Sequence, residues 1–190
     1  MGADGSGSTT GAISAIYFAV NHGARVINCS WGGGSYSQAL HDAMAYAYAH
    51  SVVIVTASGN YGKNNDVQPM YPANYPVPSQ ISVAASNDYD YLATFSNYGN
   101  GSVHVAAPGV GILSTYLGQT YRFLSGTSMA SPFVAGLAVL AIREAPQLTG
   151  YQIKNILVNS VEHLSALNGK VTSQGRVDSY GSVVNAKAQV

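Results

Sequence analysis

Residues 126–136 read GTSMASPFVAG, and this stretch decides the fold. Ser128 stands between small residues where a glycine-flanked turn becomes a long helical pattern, which stays apolar through Ile142. A helix with no polar face is expected in the middle of a domain. Its first turn carries free N–H groups and the positive end of the helix dipole, which favour a developing negative charge at Ser128. Helix physics alone leaves two interpretations open, a functional serine or a simple N-cap.

Short apolar runs alternate with helical periodicity on both sides of this stretch. Besides the Ser128 helix, the pattern predicts helices at 8–21, 37–50, 152–160 and 182–188, and buried strands at 24–30, 52–57 and 81–84. Residues 103–107 and 121–124 are predicted as shorter, more exposed strands. This alternation predicts an α/β fold with a parallel sheet and helices on both faces. Ligands of such sheets gather at the carboxyl ends of the strands, where residues 32–33, 58–60 and 128 would meet.

The composition bounds the function. A chain of 190 residues is long enough for one core, and charged residues make up 8% of it with zero net charge. No basic patch is present for nucleic acid or an anionic membrane, and no apolar run approaches the roughly 20 residues of a membrane span. The single cysteine, Cys29, lies in an apolar run and is interpreted as a buried core thiol rather than a nucleophile.

The GTSMASP string resembles the nucleophile segment of the subtilisin-like serine proteases. It is not the G-x-S-x-G elbow of the α/β-hydrolases, because Ala130 stands where that pattern needs glycine. Further segments match the same family in order and spacing: 2–7, 26–33, 57–60, 71–76, 95–99 and 107–109. The resemblance implies a three-layer subtilisin-like fold without its N-terminal strands, with residues 1–190 forming one partial catalytic domain. It also implies a serine endopeptidase that works through an acyl-enzyme.

The resemblance assigns roles within a substrate cleft. Ser128 would be the nucleophile, and Asn60 would donate its side-chain amide to the oxyanion, although the same asparagine alone reads as a turn residue. An extended peptide would be held as an added strand. Trp31 departs from the family's aliphatic residue, so packing remains an equal interpretation for it. The residues expected to bind substrate are Gly5, Ser6, Gly7, Ser30, Trp31, Gly32, Ala57, Ser58 and Gly59.

The catalytic aspartate and histidine of the family have no counterpart in these residues. No H-G-T-H string occurs, and none of the five histidines is expected beside Ser128: His22, His41, His50, His104 and His163. The acidic residues are expected to be solvated, with Asp88 and Asp90 as a weak candidate cation contact. The resemblance alone implies a weak calcium or sodium site at the Ala73 and Tyr75 carbonyls, and no cofactor is required.

A chain with a nucleophile but no base is expected to be inactive alone. Loss of triad members costs about 10⁶ in kcat in this protease family, which is roughly 8 kcal/mol of barrier. The open edge of strand 24–30 and an uncovered Ser128 helix predict pairing with a second copy or with a missing N-terminal segment. A catalytically dead peptide-binding or assembly module of the same shape remains the alternative. Secretion is implied by the family only.

Overall fold

The structure is a computed structural model that describes residues 6–190. Its helices are α1 (Thr9–Asn21), α2 (Gln38–Ala49), α3 (Thr127–Glu144), α4 (Gly150–Asn159) and α5 (Ser179–Lys187), with a short 3₁₀ turn at Ser165–Leu167. Its strands are β1 (Val26–Cys29), β2 (Val53–Ala57), β3 (Gln80–Ser86), β4 (Val105–Pro108), β5 (Ile112–Tyr116), β6 (Thr120–Leu124), β7 (Val161–His163) and β8 (Gly175–Val177).

Six strands form the central sheet in the order β1-β2-β3-β4-β8-β7. All neighbouring pairs are parallel except β7 and β8, which run antiparallel. β2 and β3 are buried throughout, as expected for apolar, β-branched strands covered on both faces. The predicted α/β fold with a parallel sheet is confirmed.

Helices cover both faces of the sheet, as predicted. Val53 and Val55 of β2 pack with α3, α4 and α5, whereas Ile54 packs with α1 and α2 on the other face. Side chains that cap the N-termini fix where most helices begin: Ser8 caps α1, Ser37 caps α2 and Thr149 caps α4. The alternating faces of β2 therefore organise two separate apolar layers.

The prediction that the Ser128 helix is buried in the middle of the domain was wrong for one face of α3. The helix buries eight residues against the sheet and the neighbouring helices. Its opposite face is exposed and apolar, with Phe133 at 48%, Val139 at 53% and Leu140 at 48% exposure. An apolar face of this kind has no partner among residues 6–190, which agrees with the expectation that this helix lacks cover.

Strand details also differ from the sequence-based prediction. The segment 24–30 is not buried on both faces, because β1 is the edge strand and its Asn28 is exposed. β4 is a buried member of the sheet rather than an exposed strand. Residues 121–124 do form an exposed strand, but in a separate hairpin with β5, which was not predicted. β7 and β8 were also missed, since each has only three residues.

Candidate active site

α3 begins at the carboxyl end of the sheet, and its first turn carries Ser128. Gly126 occupies the N-cap position, so Ser128 is the second helical residue and the N-cap interpretation is wrong. The N–H of Ser128 makes no hydrogen bond to another residue of the described chain. A free first-turn donor of this kind suits an anionic oxygen.

Asn60 lies beside this turn and is oriented by it. Its Oδ1 accepts hydrogen bonds from the backbone N–H of Thr127 at 2.8 Å and from Thr127 Oγ1 at 2.9 Å. Thr127 Oγ1 in turn accepts from the N–H of Gly59 at 3.1 Å. Because Oδ1 is occupied, the Nδ2 end of the carboxamide is left next to Gly126, with no hydrogen bond to any residue between 6 and 190. Asn60 thus presents a second free donor at the start of α3.

The hydroxyl of Ser128 is held by the segment that follows β1. Ser128 Oγ donates to the carbonyl oxygen of Ser30 at 3.0 Å, and Ser30 Oγ donates to the carbonyl oxygen of Ser128 at 2.8 Å. Asn28 extends this network, since its Nδ2 donates to Ser30 Oγ at 2.8 Å and its Oδ1 accepts from Ser131 Oγ at 2.6 Å. The end of β1 is therefore tied to the first turn of α3 by side chains on both elements.

The residues after β2 reach the same place. Ala57, Ser58 and Gly59 are buried, and Ser58 Oγ donates inward to the carbonyl oxygen of Asn97 at 3.0 Å. These residues can face a cleft only through their backbones. Gly59 has φ +113°, and an added Cβ there would collide with the Met70 and Asn97 side chains. Glycine is required at this position both for its conformation and for space.

The remaining residues predicted to bind substrate are Trp31, Gly32 and residues 5–7. Trp31 is half-buried and packs against the layer formed by α1, α2 and β2, which supports the packing interpretation. Gly32 is exposed on the way out of β1, and Ser6 and Gly7 are exposed just before the N-cap of α1. Gly5 lies outside the described residues.

No histidine between residues 6 and 190 contacts the Ser128 hydroxyl, whose hydrogen bond goes to Ser30. His22 and His50 are helix C-caps with Nδ1 against backbone carbonyls, and His41 lies between Gln38 and Asp42 on α2. His163 is the last residue of β7.

His104 immediately precedes β4, an inner strand of the sheet, and so lies at the amino end of that strand. Its Nδ1 accepts from the N–H of Ser82 at 2.9 Å, and its Nε2 lies 2.9 Å from Lys154 Nζ. Burial, reinforced by the Lys154 charge, lowers the pKa of His104 to about 3, and burial lowers the pKa of Lys154 to about 8. His104 is therefore a neutral structural residue.

The prediction of solvated acidic residues holds for Asp42, Asp66, Asp88 and Glu162, which are exposed, whereas Asp90, Glu144 and Asp178 are half-buried. Asp90 accepts from Arg176 Nε at 2.6 Å, Asp66 binds the N–H of Gly101 and the Ser102 hydroxyl, and Asp178 caps α5. The Arg176 contact accounts for Asp90 without a cation, while Asp88 is simply exposed. Within residues 6–190 no group of three or more metal-ligating side chains is clustered.

The carbonyls suggested for a cation fit it poorly. The Ala73 oxygen accepts from Gln80 Nε2 at 2.9 Å, and the Tyr75 oxygen accepts from the N–H of Val77 at 2.8 Å. Each oxygen already accepts a hydrogen bond from within the chain, so a cation would share it with that donor.

Two further predictions concern the Cys29 thiol and membrane-spanning segments. The Cys29 thiol is buried, and burial raises its pKa to about 12, as expected for a core thiol. Within the described residues, no helix combines the length and apolar character needed to cross a bilayer.

Sequence reasoning missed three residues of this site: Thr127, Asn28 and Met70. Thr127 stood in the quoted motif, but a buried threonine beside a serine gives no sign that it orients an amide 67 positions away. Asn28 was visible only as a polar residue in an apolar strand.

Known proteins resemble this chain over nearly its whole length. The model of the subtilase family matches residues 1–182. Subtilisin Savinase from Lederbergia lenta is 40% identical over 189 residues, covering 99% of this chain and 64% of that protein. A thermophilic serine proteinase from Bacillus sp. (strain AK1) is 39% identical over 180 residues, covering 95% of this chain and 43% of that protein.

Solved structures show the same relationship. A protease from Pseudoalteromonas arctica PAMC 21717 superposes with a TM-score of 0.78 at 33% identity, over 85% of this chain and 51% of that one. A cold-adapted subtilisin-like serine proteinase gives 0.77 at 34% identity, over 92% and 61%. The chain thus spans between two fifths and two thirds of the curated relatives' lengths. With the family model covering nearly all of its residues, this chain belongs to the subtilase family of serine proteases.

Proposed function

We propose that these 190 residues carry the nucleophile and the oxyanion donors of a serine endopeptidase. Ser128 Oγ attacks the carbonyl carbon of the scissile peptide bond, and its proton passes to a base and then to the leaving amine. Water hydrolyses the acyl-enzyme in the reverse sense. The chemistry uses side chains and backbone donors, so it requires no cofactor. The observation that carries the proposal is the Asn60 carboxamide, turned by Thr127 so that its Nδ2 is free beside the first turn of α3.

The oxyanion would be bound by Asn60 Nδ2 and by the N–H of Ser128. Both are free donors at one helix end, and the positive end of the α3 dipole adds to their field. For this protease family, loss of the side-chain donor is worth about 3–4 kcal/mol of transition-state stabilisation, a magnitude that belongs to the family. The substrate backbone would lie along Ser30–Gly32, an extension of the open edge of β1.

The base comes from outside these residues, in the same polypeptide or another one. The Ser128 hydroxyl is bound to the Ser30 carbonyl, and the five histidines are all engaged elsewhere or distant in the fold. The chain by itself is therefore proposed to be inactive, by the factor of about 10⁶ given above. Its place of action is proposed to be outside the cell, on family grounds.

A polypeptide partner follows from the exposed apolar face of α3 and the open edge of β1. Both surfaces have no cover among residues 6–190. A second copy of this chain, or the segment that brings the base, would bury them. Sedimentation at micromolar concentration tests this: the chain alone is expected as a dimer or larger species, and a compact monomer would contradict it.

Chemical rescue tests the nucleophile. Free imidazole is added as an external base, and hydrolysis of an activated peptide ester is measured for the wild type and for Ser128→Ala. The wild type is expected to show a rate that rises linearly with imidazole above that of Ser128→Ala. Asn60→Ala should lower this imidazole-dependent rate about 10²–10³-fold. Equal rates for the wild type and Ser128→Ala would refute Ser128 as the nucleophile.

The alternative function is a peptide-binding module without catalysis. It is favoured by one observation, that the cleft residues are tied together while the serine hydroxyl is bonded to a carbonyl rather than a base. Saturable binding of an extended peptide, combined with no imidazole-dependent turnover, would support this alternative.

A further inference from the structure

The Met70 side chain lies between the two backbone segments that form the cleft walls. Its Cε lies 3.2 Å from the position of a Cβ added to Gly32, and its Sδ would collide with one added to Gly59. Gly32 follows β1 and Gly59 follows β2, so Met70 spans the gap between the ends of neighbouring strands. A substrate side chain entering between these glycines meets the thioether.

Met70 is held in this place from several directions. Asn97 Nδ2 donates to its sulfur at 3.6 Å, and its backbone N–H donates to Asn74 Oδ1 at 3.0 Å. The next residue, Tyr71, accepts the N–H of Gly33 at 2.9 Å, which ties the loop to the β1 wall. Methionine is normally an adaptable side chain. Here its sulfur and its backbone are both anchored.

Met70 also lines a cleft of about 250 Å³. The other residues that line it include Gly33, Gly34, Tyr61, Lys63 and Asn97. Neither Gly32 nor Gly59 belongs to its lining. Met70 therefore contributes to the lining of this cleft and also lies against the two glycines, so truncation of its side chain would enlarge the space between them.

We propose that Met70 is a specificity-determining residue that limits the cleft to peptides with a small side chain, such as glycine, alanine or serine, at the position entering between Gly32 and Gly59. This inference rests on the proposed peptide-cleaving site. A large side chain would have to displace Met70 from Asn97 and from the Gly59 backbone. Differences of one or a few methylenes in such pockets change relative affinity by about 10–200-fold.

The test compares two peptide aldehydes that differ only in their last side chain, alanine or phenylalanine. Their dissociation constants are measured on the chain itself by calorimetry. The wild type is expected to prefer alanine. Met70→Ala should raise the affinity for phenylalanine relative to alanine by at least about tenfold, and Met70→Val should give an intermediate shift.

Two controls accompany the variants. Met70→Leu keeps the volume, and Gln68→Ala changes the rim of the 250 Å³ cleft, so both should leave the ratio within about threefold of the wild type. If both peptides bind and Met70→Ala and Met70→Val keep the wild-type ratio, the role of Met70 is overturned while the proposed function stands. If neither peptide binds any folded variant, the peptide cleft itself is overturned. Thermal melting checks that each variant is folded.

Discussion

Replacement of Lys154 by methionine is expected to change how the stability of this chain depends on pH. Nδ1 of His104 accepts from Ser82, so the hydrogen of the neutral ring lies on Nε2, which faces Lys154 Nζ at 2.9 Å. Two donors would face each other if Lys154 were charged. The contact is therefore favourable only when Lys154 is neutral and its lone pair accepts.

The surroundings do not compensate a charge on Lys154. α4 packs against α3, α5, β2 and β3, and the two strands carry no ionisable side chain. The ionisable residues on α3 and α5 are Arg143, Glu144, Tyr180 and Lys187, and within residues 6–190 none of them forms an ion pair with Lys154.

The magnitude follows from the lowered pKa. Burial lowers the pKa of Lys154 from 10.5 to about 8, and each pH unit corresponds to about 1.4 kcal/mol. In the window between pH 8 and 10.5 the unfolded state binds more protons than the folded state, so stability rises with pH. The expected gain is about 3 kcal/mol across this window, and it should be absent in Lys154→Met. For His104 the same sign applies between about pH 3 and 6.5.

The assay is urea unfolding at several pH values from 7 to 10.5. The quantity of interest is the difference in unfolding free energy between the wild type and Lys154→Met, since tyrosine ionisation then cancels. Lys187→Met, at an exposed position near the end of α5, is the matched control and should follow the wild type. A difference between wild type and Lys154→Met that stays constant over this range would refute the reasoning.

Three further outcomes are expected. Gly59→Ala should destabilise the chain by several kcal/mol more than Gly33→Ala in urea unfolding, because both glycines have positive φ but only Gly59 is also crowded by Met70 and Asn97; equal losses would contradict this. Thr127→Val should cost about 1–3 kcal/mol through the lost bonds to Asn60 and Gly59, whereas Thr120→Val in the exposed hairpin should cost little. Cys29 should react with a thiol reagent at the rate of global unfolding, and fast labelling under native conditions would show that the thiol is not buried.

Part of the sheet was predictable because its inner strands β2 and β3 are mainly apolar. β2 and β3 are buried on both faces, so the sequence signal and the structural cause are the same. β7 and β8 could not be found in this way, since a three-residue strand has no periodicity and depends on its neighbours for pairing. β5 and β6 carry apolar residues on an exposed hairpin, a pattern that reads equally well as a buried strand.

For the candidate site, the sequence predicted which backbone segments lie close together. The turns after β1 and β2 and the start of α3 had to meet at one edge of a parallel sheet, and the contacts of Ser30 with Ser128 and of Gly59 with Thr127 agree with that expectation. What the sequence could not supply was the direction of side chains. Ser58 faces the core, Asn60 is turned by Thr127, and Met70 fills the gap, and each depends on residues far away in the chain.

The contacts among β1, β2 and α3 bear on how a base could complete the proposed site. Ser30 and Ser128 exchange two hydrogen bonds, Asn28 joins Ser131, and Thr127 fixes Asn60, all within residues 28–131. The proposed nucleophile and oxyanion donors are thus held in place by contacts among the described residues. An incoming base has only to replace the Ser30 carbonyl as acceptor of the Ser128 hydroxyl, an exchange of one hydrogen bond. Such an exchange costs little net free energy, because one acceptor takes the place of another. Burial of the exposed apolar face of α3 would also stabilise the complex with the proposed segment that brings the base.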